Sequence, residues 1–165
     1  MIKVFIAGAT GWAGSAIAKG VYNEKGMQLA GGLSRFNKQE NLAEILDFGN
    51  DEIPLFGTIE EALEQVDFDV LVEFTKPDIA KKNILSALNK GKKVVVGTSG
   101  LTNEDYTEIE KAANDNNTSV LAAGNFAITA VLLFKFASIP AQYIPNYELI
   151  DYASQNKVDA PRGSV

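Results

Sequence analysis

The sequence predicts an α/β fold: an open, doubly wound sheet of parallel strands with helices between them. Two observations predict it. Apolar runs of strand length, IKVFIA, MQLAGGL, DVLVEF, KKVVVG and SVLAAG, recur along the chain, each without polar alternation, the mark of strands covered on both faces. Between them lie segments that coil with an apolar stripe, Trp12 to Tyr22, Ile59 to Val66, Ile79 to Leu88 and Asn103 to Asn114. Strands alternating with helices imply parallel pairing through right-handed crossovers.

The elements are punctuated accordingly. The opening MIKVFIAGAT has one basic residue before a short apolar run and then glycine, which fits a buried strand and neither a signal peptide nor a membrane span. A cytoplasmic protein is therefore expected. Pro77 and Asp78 open the helix carrying IAKKNILSALNKG, with Gly91 as its stop. Thr102 precedes NEDYTEIEKAA, whose acids lie in the first turn, where they favour the helix dipole. The last third differs in texture. Ala127 to Ala141 is apolar and reads as helix, then Pro140 and Pro145 bracket a turn into YELIDYA, which alternates like a half-buried strand. A boundary near Asn125 and Phe126 divides a first domain, 1–126, from the start of a second, α+β domain at 127–165. Some forty residues are too few for a stable core of their own, and the chain stops inside what reads as a functional loop, so a piece of a longer protein is expected.

Composition narrows the chemistry. With 15 Lys and Arg against 21 Asp and Glu, a net charge of −6, a nucleic-acid or anionic-membrane surface is not expected, and small molecules or protein are the natural partners. Cysteine and histidine are both absent from the 165 residues. That excludes disulfides, thiolate catalysis, Cys/His metal sites, Ser-His-Asp triads and histidine proton transfer within this chain.

The strongest chemical signal is GATGWAG: Gly8, Gly11 and Gly14 follow the first strand and open the first helix. Glycines placed so allow a tight turn, let backbone amides approach a pyrophosphate and let helix pack on sheet, while the helix N-terminus favours an anion. The spacing is GxxGxxG rather than GxGxxG. In this context it predicts a Rossmann-type dinucleotide site; the alternative is a purely structural turn. The second strand ends in GGLSRFNK. An acid there would accept from an NAD ribose, but the chain offers Ser34 and Arg35, with Lys38 close behind, and Arg35 suits bidentate pairing with a 2′-phosphate. NADPH is therefore favoured, with NADH the alternative, unless Arg35 is an ordinary solvated loop cation.

Three more stretches fall at the ends of later strands, where open α/β sheets bind ligands: VEFTKP (72–77), VVGTSGLT (95–102) and AAGNFAIT (122–129). With GATGWAG and the closing KVDAPRGS, their order and spacing resemble the dihydrodipicolinate reductase family, also called 4-hydroxy-tetrahydrodipicolinate reductases, NAD(P)H-dependent enzymes of lysine and diaminopimelate biosynthesis. The resemblance runs from Ile2 to the last residue. It implies that Gly8, Ala9, Thr10, Gly11, Trp12 and Ala13 line the pyrophosphate, with Trp12 where many members carry arginine. It places Ser34 and Arg35 at the adenosine ribose, Phe74 and Thr75 beside the cofactor, Gly97, Thr98 and Ser99 at the nicotinamide ribose and amide, and Ala123, Gly124, Asn125 and Phe126 over the ring. It also implies that the segment from 127 begins a substrate-binding and oligomerisation domain, and that the protein is a homo-oligomer.

The family's substrate loop reads E-x-H-H-x-x-K-x-D-x-P-S-G-T, and this chain reads DYASQNKVDAPRGS. Lys157, Asp159, Pro161 and Gly163 are retained, Ser164 replaces threonine, Arg162 replaces serine, and Ala153 and Ser154 stand where the histidines would be. The resemblance makes Lys157 the catalytic cation, pairing with the charge of the intermediate, and Ser154, Lys157, Arg162, Gly163 and Ser164 the contacts to a small dicarboxylate substrate. The family's proton donor is missing, a loss worth roughly 10²–10⁴-fold in rate. Three readings follow: a reductase acting on the family's cyclic imine or enamine dicarboxylate, a reductase of the same fold with another unsaturated acid as substrate, and a non-catalytic NADPH-binding protein.

Overall fold

The computed structural model describes residues 1–36, 40–146, 148 and 150. The chain divides into two compact units, 1–122 and 123–165. The first unit is built on a six-stranded, wholly parallel sheet. Its elements follow in chain order: β1 (Ile2–Ala7), α1 (Trp12–Asn23), β2 (Met27–Leu33), α2 (Leu42–Leu46), β3 (Leu55–Phe56), α3 (Ile59–Gln65), β4 (Val70–Glu73), α4 (Pro77–Asn89), β5 (Lys93–Val96), α5 (Asn103–Asp115) and β6 (Val120–Ala122). The strand order is β3-β2-β1-β4-β5-β6. The first three strands wind outward from β1 in one direction and the last three in the other, so the winding reverses between β1 and β4. This is the doubly wound sheet the apolar runs predict.

The two-residue period of a strand explains why those runs carry no polar alternation. Along β1, Phe5 and Ala7 point into one core with Ile59 and Ala62 of α3, Ile84 and Leu88 of α4, and Ile109 of α5. Val4 and Ile6 point into the other with Ala18 and Val21 of α1 and Leu42 and Leu46 of α2. Both faces are covered from Val4 to Ala7, so each of those positions is apolar. Phe5 stacks on Phe68 with ring centroids 4.9 Å apart.

Helix starts follow the sequence signals. Pro77 occupies the first turn of α4, and Gly91 beyond its end takes a left-handed φ of 71°. Thr102 and Asp105 form a reciprocal capping box on α5, with the Asp105 N–H donating to Thr102 Oγ1 at 3.2 Å and the Thr102 N–H to Asp105 Oδ2 at 2.9 Å. Two elements have no counterpart in the expectations from sequence, α2 and β3. Five and two residues long, they are too short to display a period. They are fixed instead by Asn41, whose Oδ1 accepts from the N–H groups of both Ala43 (3.0 Å) and Ile53 (2.9 Å).

In the second unit, α6 spans Ile128–Ser138 and a 3₁₀ turn follows at Pro140–Gln142. The helix expected over 127–141 is divided there because Pro140 has no N–H to continue the ladder. Although the helix is apolar nearly all round, none of its residues is buried. The expected strand in YELIDYA falls on residues of which only 148 and 150 are described. No helix among the described residues is long and apolar enough to cross a membrane.

Candidate functional site

The first unit presents a groove of about 520 Å³ at the carboxyl ends of its strands, where the winding reverses. Its floor is the β1–α1 loop (Gly8, Thr10, Gly11), one wall is the end of β2 (Ser34, Arg35, Phe36), and the other is the end of β4 with the start of α4 (Phe74, Thr75, Lys76). Open α/β sheets take their ligands at this place, where diverging connections leave a crevice. A second recess, of about 650 Å³, is lined by Glu40, Glu44, Glu52 and Glu61. Four carboxylates make it a poor host for an anion.

The glycine loop is held by its backbone. The N–H groups of Gly8 and Ala9 both donate to Leu33 O at 3.1 Å, which turns the chain sharply away from the sheet. Gly8 stands at φ 83°, a conformation costly for any residue with a Cβ, and a Cβ there would lie 2.4 Å from Phe74 O. At Gly14 a Cβ would lie 2.0 Å from Gly8 O. The two glycines thus bring the first turn of α1 directly onto the loop. Its amides, which an α-helix leaves without intrahelical partners, are set for an anion. Trp12, in that same turn, is 95% exposed, whereas Ala9 is fully buried.

Ser34 and Thr10 are joined by a 2.9 Å bond between their hydroxyls, tying the loop to the end of β2. Arg35 is exposed, its guanidinium carbon 5.5 Å from the centre of the Phe36 ring. Behind the opposite wall Gly97, directly after β5, lies against the Phe74 ring, and a Cβ at Gly97 would come within 2.0 Å of it. Thr98 is buried, and its hydroxyl oxygen accepts from the Thr75 N–H at 3.0 Å.

Beneath this wall lies a residue that sequence reasoning passed over. Glu73, the last residue of β4, has no exposed surface. Its Oε1 accepts from the Thr75 N–H at 2.9 Å and, in a short bond, from the Thr75 hydroxyl, while its Oε2 accepts from Asn83 Nδ2 at 2.9 Å. The signal was present in DVLVEF: an acid inside an otherwise apolar run is buried with partners or has a task. Asn83 of α4, also buried, gave no comparable signal.

Burial holds the Glu73 carboxyl above its ordinary value, with the hydrogen bonds from Thr75, Asn83 and Thr98 pulling the other way. A carboxyl raised in the folded state stabilises the fold most below its unfolded value, and that contribution is lost as pH rises through the folded one. The expected result is that the stability of the unaltered chain relative to Glu73→Gln increases as pH falls from 7 towards 5. Urea unfolding of both proteins at several pH values measures it, and the variant cancels the effects of the other carboxylates. A constant difference would show that Glu73 does not titrate in this window.

Of the residues expected at the cofactor, Gly8, Thr10, Gly11, Ser34, Arg35, Phe74 and Thr75 line one groove. Trp12 and Ala13 begin α1, and Gly97, Thr98 and Ser99 follow β5 beside that groove rather than on its surface. Ala123, Gly124, Asn125 and Phe126 belong to the second unit, where Asn125 Oδ1 accepts from the Ala127 N–H at 2.8 Å at the start of α6. Lys38, Ser154, Lys157, Arg162, Gly163 and Ser164 lie outside the described residues.

A doubly wound parallel sheet with a glycine-floored groove at its switch point defines a Rossmann-type domain. The chain belongs to the dihydrodipicolinate reductase family: residues 2–126 match the family described as dihydrodipicolinate reductase, N-terminus. It is 36% identical over 164 residues to the 4-hydroxy-tetrahydrodipicolinate reductase of Listeria monocytogenes serotype 4b (strain CLIP80459), covering 99% of this chain and 62% of that protein. To the 4-hydroxy-tetrahydrodipicolinate reductase of Dictyoglomus turgidum it is 37% identical over 165 residues, 100% of this chain and 61% of that protein. Among solved structures, dipicolinate-bound dihydrodipicolinate reductase from Paenisporosarcina sp. TG-14 superposes with a TM-score of 0.78 at 33% identity, covering 99% of this chain and 62% of that one. The chain thus spans somewhat over three fifths of the length of these relatives.

Proposed function

We propose that the chain is the cofactor-binding part of an NADPH-dependent reductase that acts, in the cytoplasm and as a homo-oligomer, on a cyclic imine or enamine dicarboxylate of lysine and diaminopimelate biosynthesis. The observation that carries this reading is the groove itself, with the first turn of α1 at its floor, a guanidinium at one end and a threonine and phenylalanine at the other. The glycine loop fits a dinucleotide because Gly8 and Gly14, where a Cβ would strike backbone, let the first turn of α1 close onto the loop and bring its amides beside the groove. When bound, the reduced nicotinamide supplies hydride. The N–H groups of Gly8 and Ala9 are taken by Leu33 O and that of Gly11 by Gly8 O, so the pyrophosphate falls to the amides of Thr10, Trp12 and Ala13, and Arg35 pairs with the 2′-phosphate. Phe74 packs beside the nicotinamide end. Lys157 and Arg162 neutralise the dicarboxylate, and the relative that holds dipicolinate supports a planar dicarboxylate as the ligand class.

The test is a titration with NADPH and NADH, followed by pyridine-2,6-dicarboxylate. Binding of both ligands together supports the reading, and failure of both nucleotides to bind overturns it. Arg35→Ala is expected to weaken NADPH by roughly 10–100-fold, the worth of a charge-assisted bidentate pair, while NADH changes less than about twofold. Trp12 is the chain's single tryptophan and stands beside the expected pyrophosphate, so its fluorescence reports binding. Equal loss for both nucleotides would assign Arg35 no role at a 2′-phosphate.

A second reading is favoured by the resemblance itself, which aligns Ala153 and Ser154 with the family's histidines. An enzyme with a different unsaturated acid as substrate, or a nucleotide-binding protein without turnover, would need no histidine there. Turnover of the family substrate that rises when Ala153→His and Ser154→His are introduced together favours the reductase reading. Tight NADPH binding without turnover in either form favours the nucleotide-binding protein.

A further inference from the structure

The buried carboxylate under the groove has a consequence for which end of a ligand can lie above it. Glu73 receives hydrogen bonds from the Thr75 N–H and hydroxyl, from Asn83 Nδ2 and, at 3.5 Å, from the Thr98 hydroxyl, and every one of these groups donates. Thr75 has one hydroxyl proton and one amide proton, and both point at Glu73 Oε1; the amide is shared with Thr98 Oγ1 at 3.0 Å. A threonine hydroxyl has one donor and two acceptor lone pairs. With its proton committed inward, Thr75 offers a ligand in the groove only lone pairs. An acceptor of this kind takes an alcohol O–H or an amide N–H and repels a phosphate oxygen.

Beside the floor of the groove the polarity is opposite, because the first turn of α1, beginning at Trp12, has backbone N–H groups without intrahelical partners. The groove therefore has donors at its centre and a fixed acceptor at the β4 wall. We propose that Glu73 is a positioning residue that sets this polarity through Thr75, so that the wall accepts the hydroxyl- and amide-bearing half of a dinucleotide and turns away its phosphates. Asn83 holds the second carboxylate oxygen, which keeps the first aimed at Thr75. The inference rests on the nucleotide reading above and deepens it, since it fixes which way round the ligand lies.

The experiment compares NADPH with adenosine 2′,5′-bisphosphate, which has the phosphates of the adenosine half but no nicotinamide half, on the unaltered chain, Glu73→Met, Thr75→Val and the double variant, followed by Trp12 fluorescence. Each single substitution is expected to weaken NADPH roughly tenfold, the worth of one well-placed hydrogen bond. The double variant is expected to lose no more than Thr75→Val alone, because Glu73 acts only through the Thr75 hydroxyl whose proton it holds inward. Bisphosphate affinity is expected to change less than about twofold throughout. Losses that multiply in the double variant, or a parallel fall for the bisphosphate, would overturn the proposal, because general loosening of the groove gives those results. Thr75→Val, on the groove surface, decides the matter even where Met at position 73 prevents folding: undiminished NADPH affinity in that variant refutes the acceptor role. Failure of the unaltered chain to bind NADPH would overturn the nucleotide reading and this inference together, whereas binding that the variants leave intact overturns this inference alone.

Discussion

Gly14→Ala is expected to cost about 3 kcal/mol of stability and to abolish nucleotide binding by whatever fraction still folds. The added methyl would lie 2.0 Å from Gly8 O and 2.7 Å from Gly8 C. Both are backbone atoms of a loop pinned to Leu33 by two hydrogen bonds, so the collision cannot be relieved by a rotamer change. Overpacking against fixed backbone lies at the upper end of what single substitutions do. The helix must move away from the loop, carrying with it the amides that face the anion. A shift of the urea midpoint without a change of slope, together with an NADPH titration, measures both effects. A variant as stable as the unaltered chain would mean that α1 is free to slide outward. By contrast, Gly20 on the same helix has nothing within 4 Å of a built Cβ, and Gly20→Ala is the control for helix propensity alone.

Gly97→Ala is expected to cost about 2 kcal/mol and to weaken NADPH at least tenfold. Its methyl would meet three atoms of the Phe74 ring at 2.0–2.4 Å, and the ring must swing off the surface it gives to the groove. The obstacle is a side chain here, so relief is available: Phe74→Leu combined with Gly97→Ala is expected to recover part of the lost stability. A double-mutant cycle measures that coupling. Additive losses would show that Gly97 is required for a reason other than its contact with Phe74.

The two predictions differ in how much of their basis could be read in advance. That glycine is needed after β1 followed from its place between an apolar strand and a helix. Which atoms it must avoid did not. Phe74 and Gly97 lie 23 residues apart in sequence and meet because β4 and β5 pair in parallel, with Val72 beside Val95 and Glu73 beside Val96. Glu73 stands in the run DVLVEF with no role legible there, because its partners Asn83 and Thr98 are brought to it only by the crossover through α4. The short elements α2 and β3 were missed for a related reason: they are held by Asn41 bonding Ile53 and by Leu55 pairing to Gly32, contacts between residues distant in sequence.

The sequence by itself determined the α/β class, the parallel order of winding and the position of the ligand groove, because those depend on local periodicity and on glycines whose spacing has few other uses. It also determined the family, through motifs that recur in order along the chain. Only the tertiary structure decided that Ser34 bonds Thr10, that Thr98 turns inward, and that Glu73 orients Thr75. Those are matters of donor and acceptor direction between strands distant in sequence, and no linear pattern encodes them before the sheet is assembled.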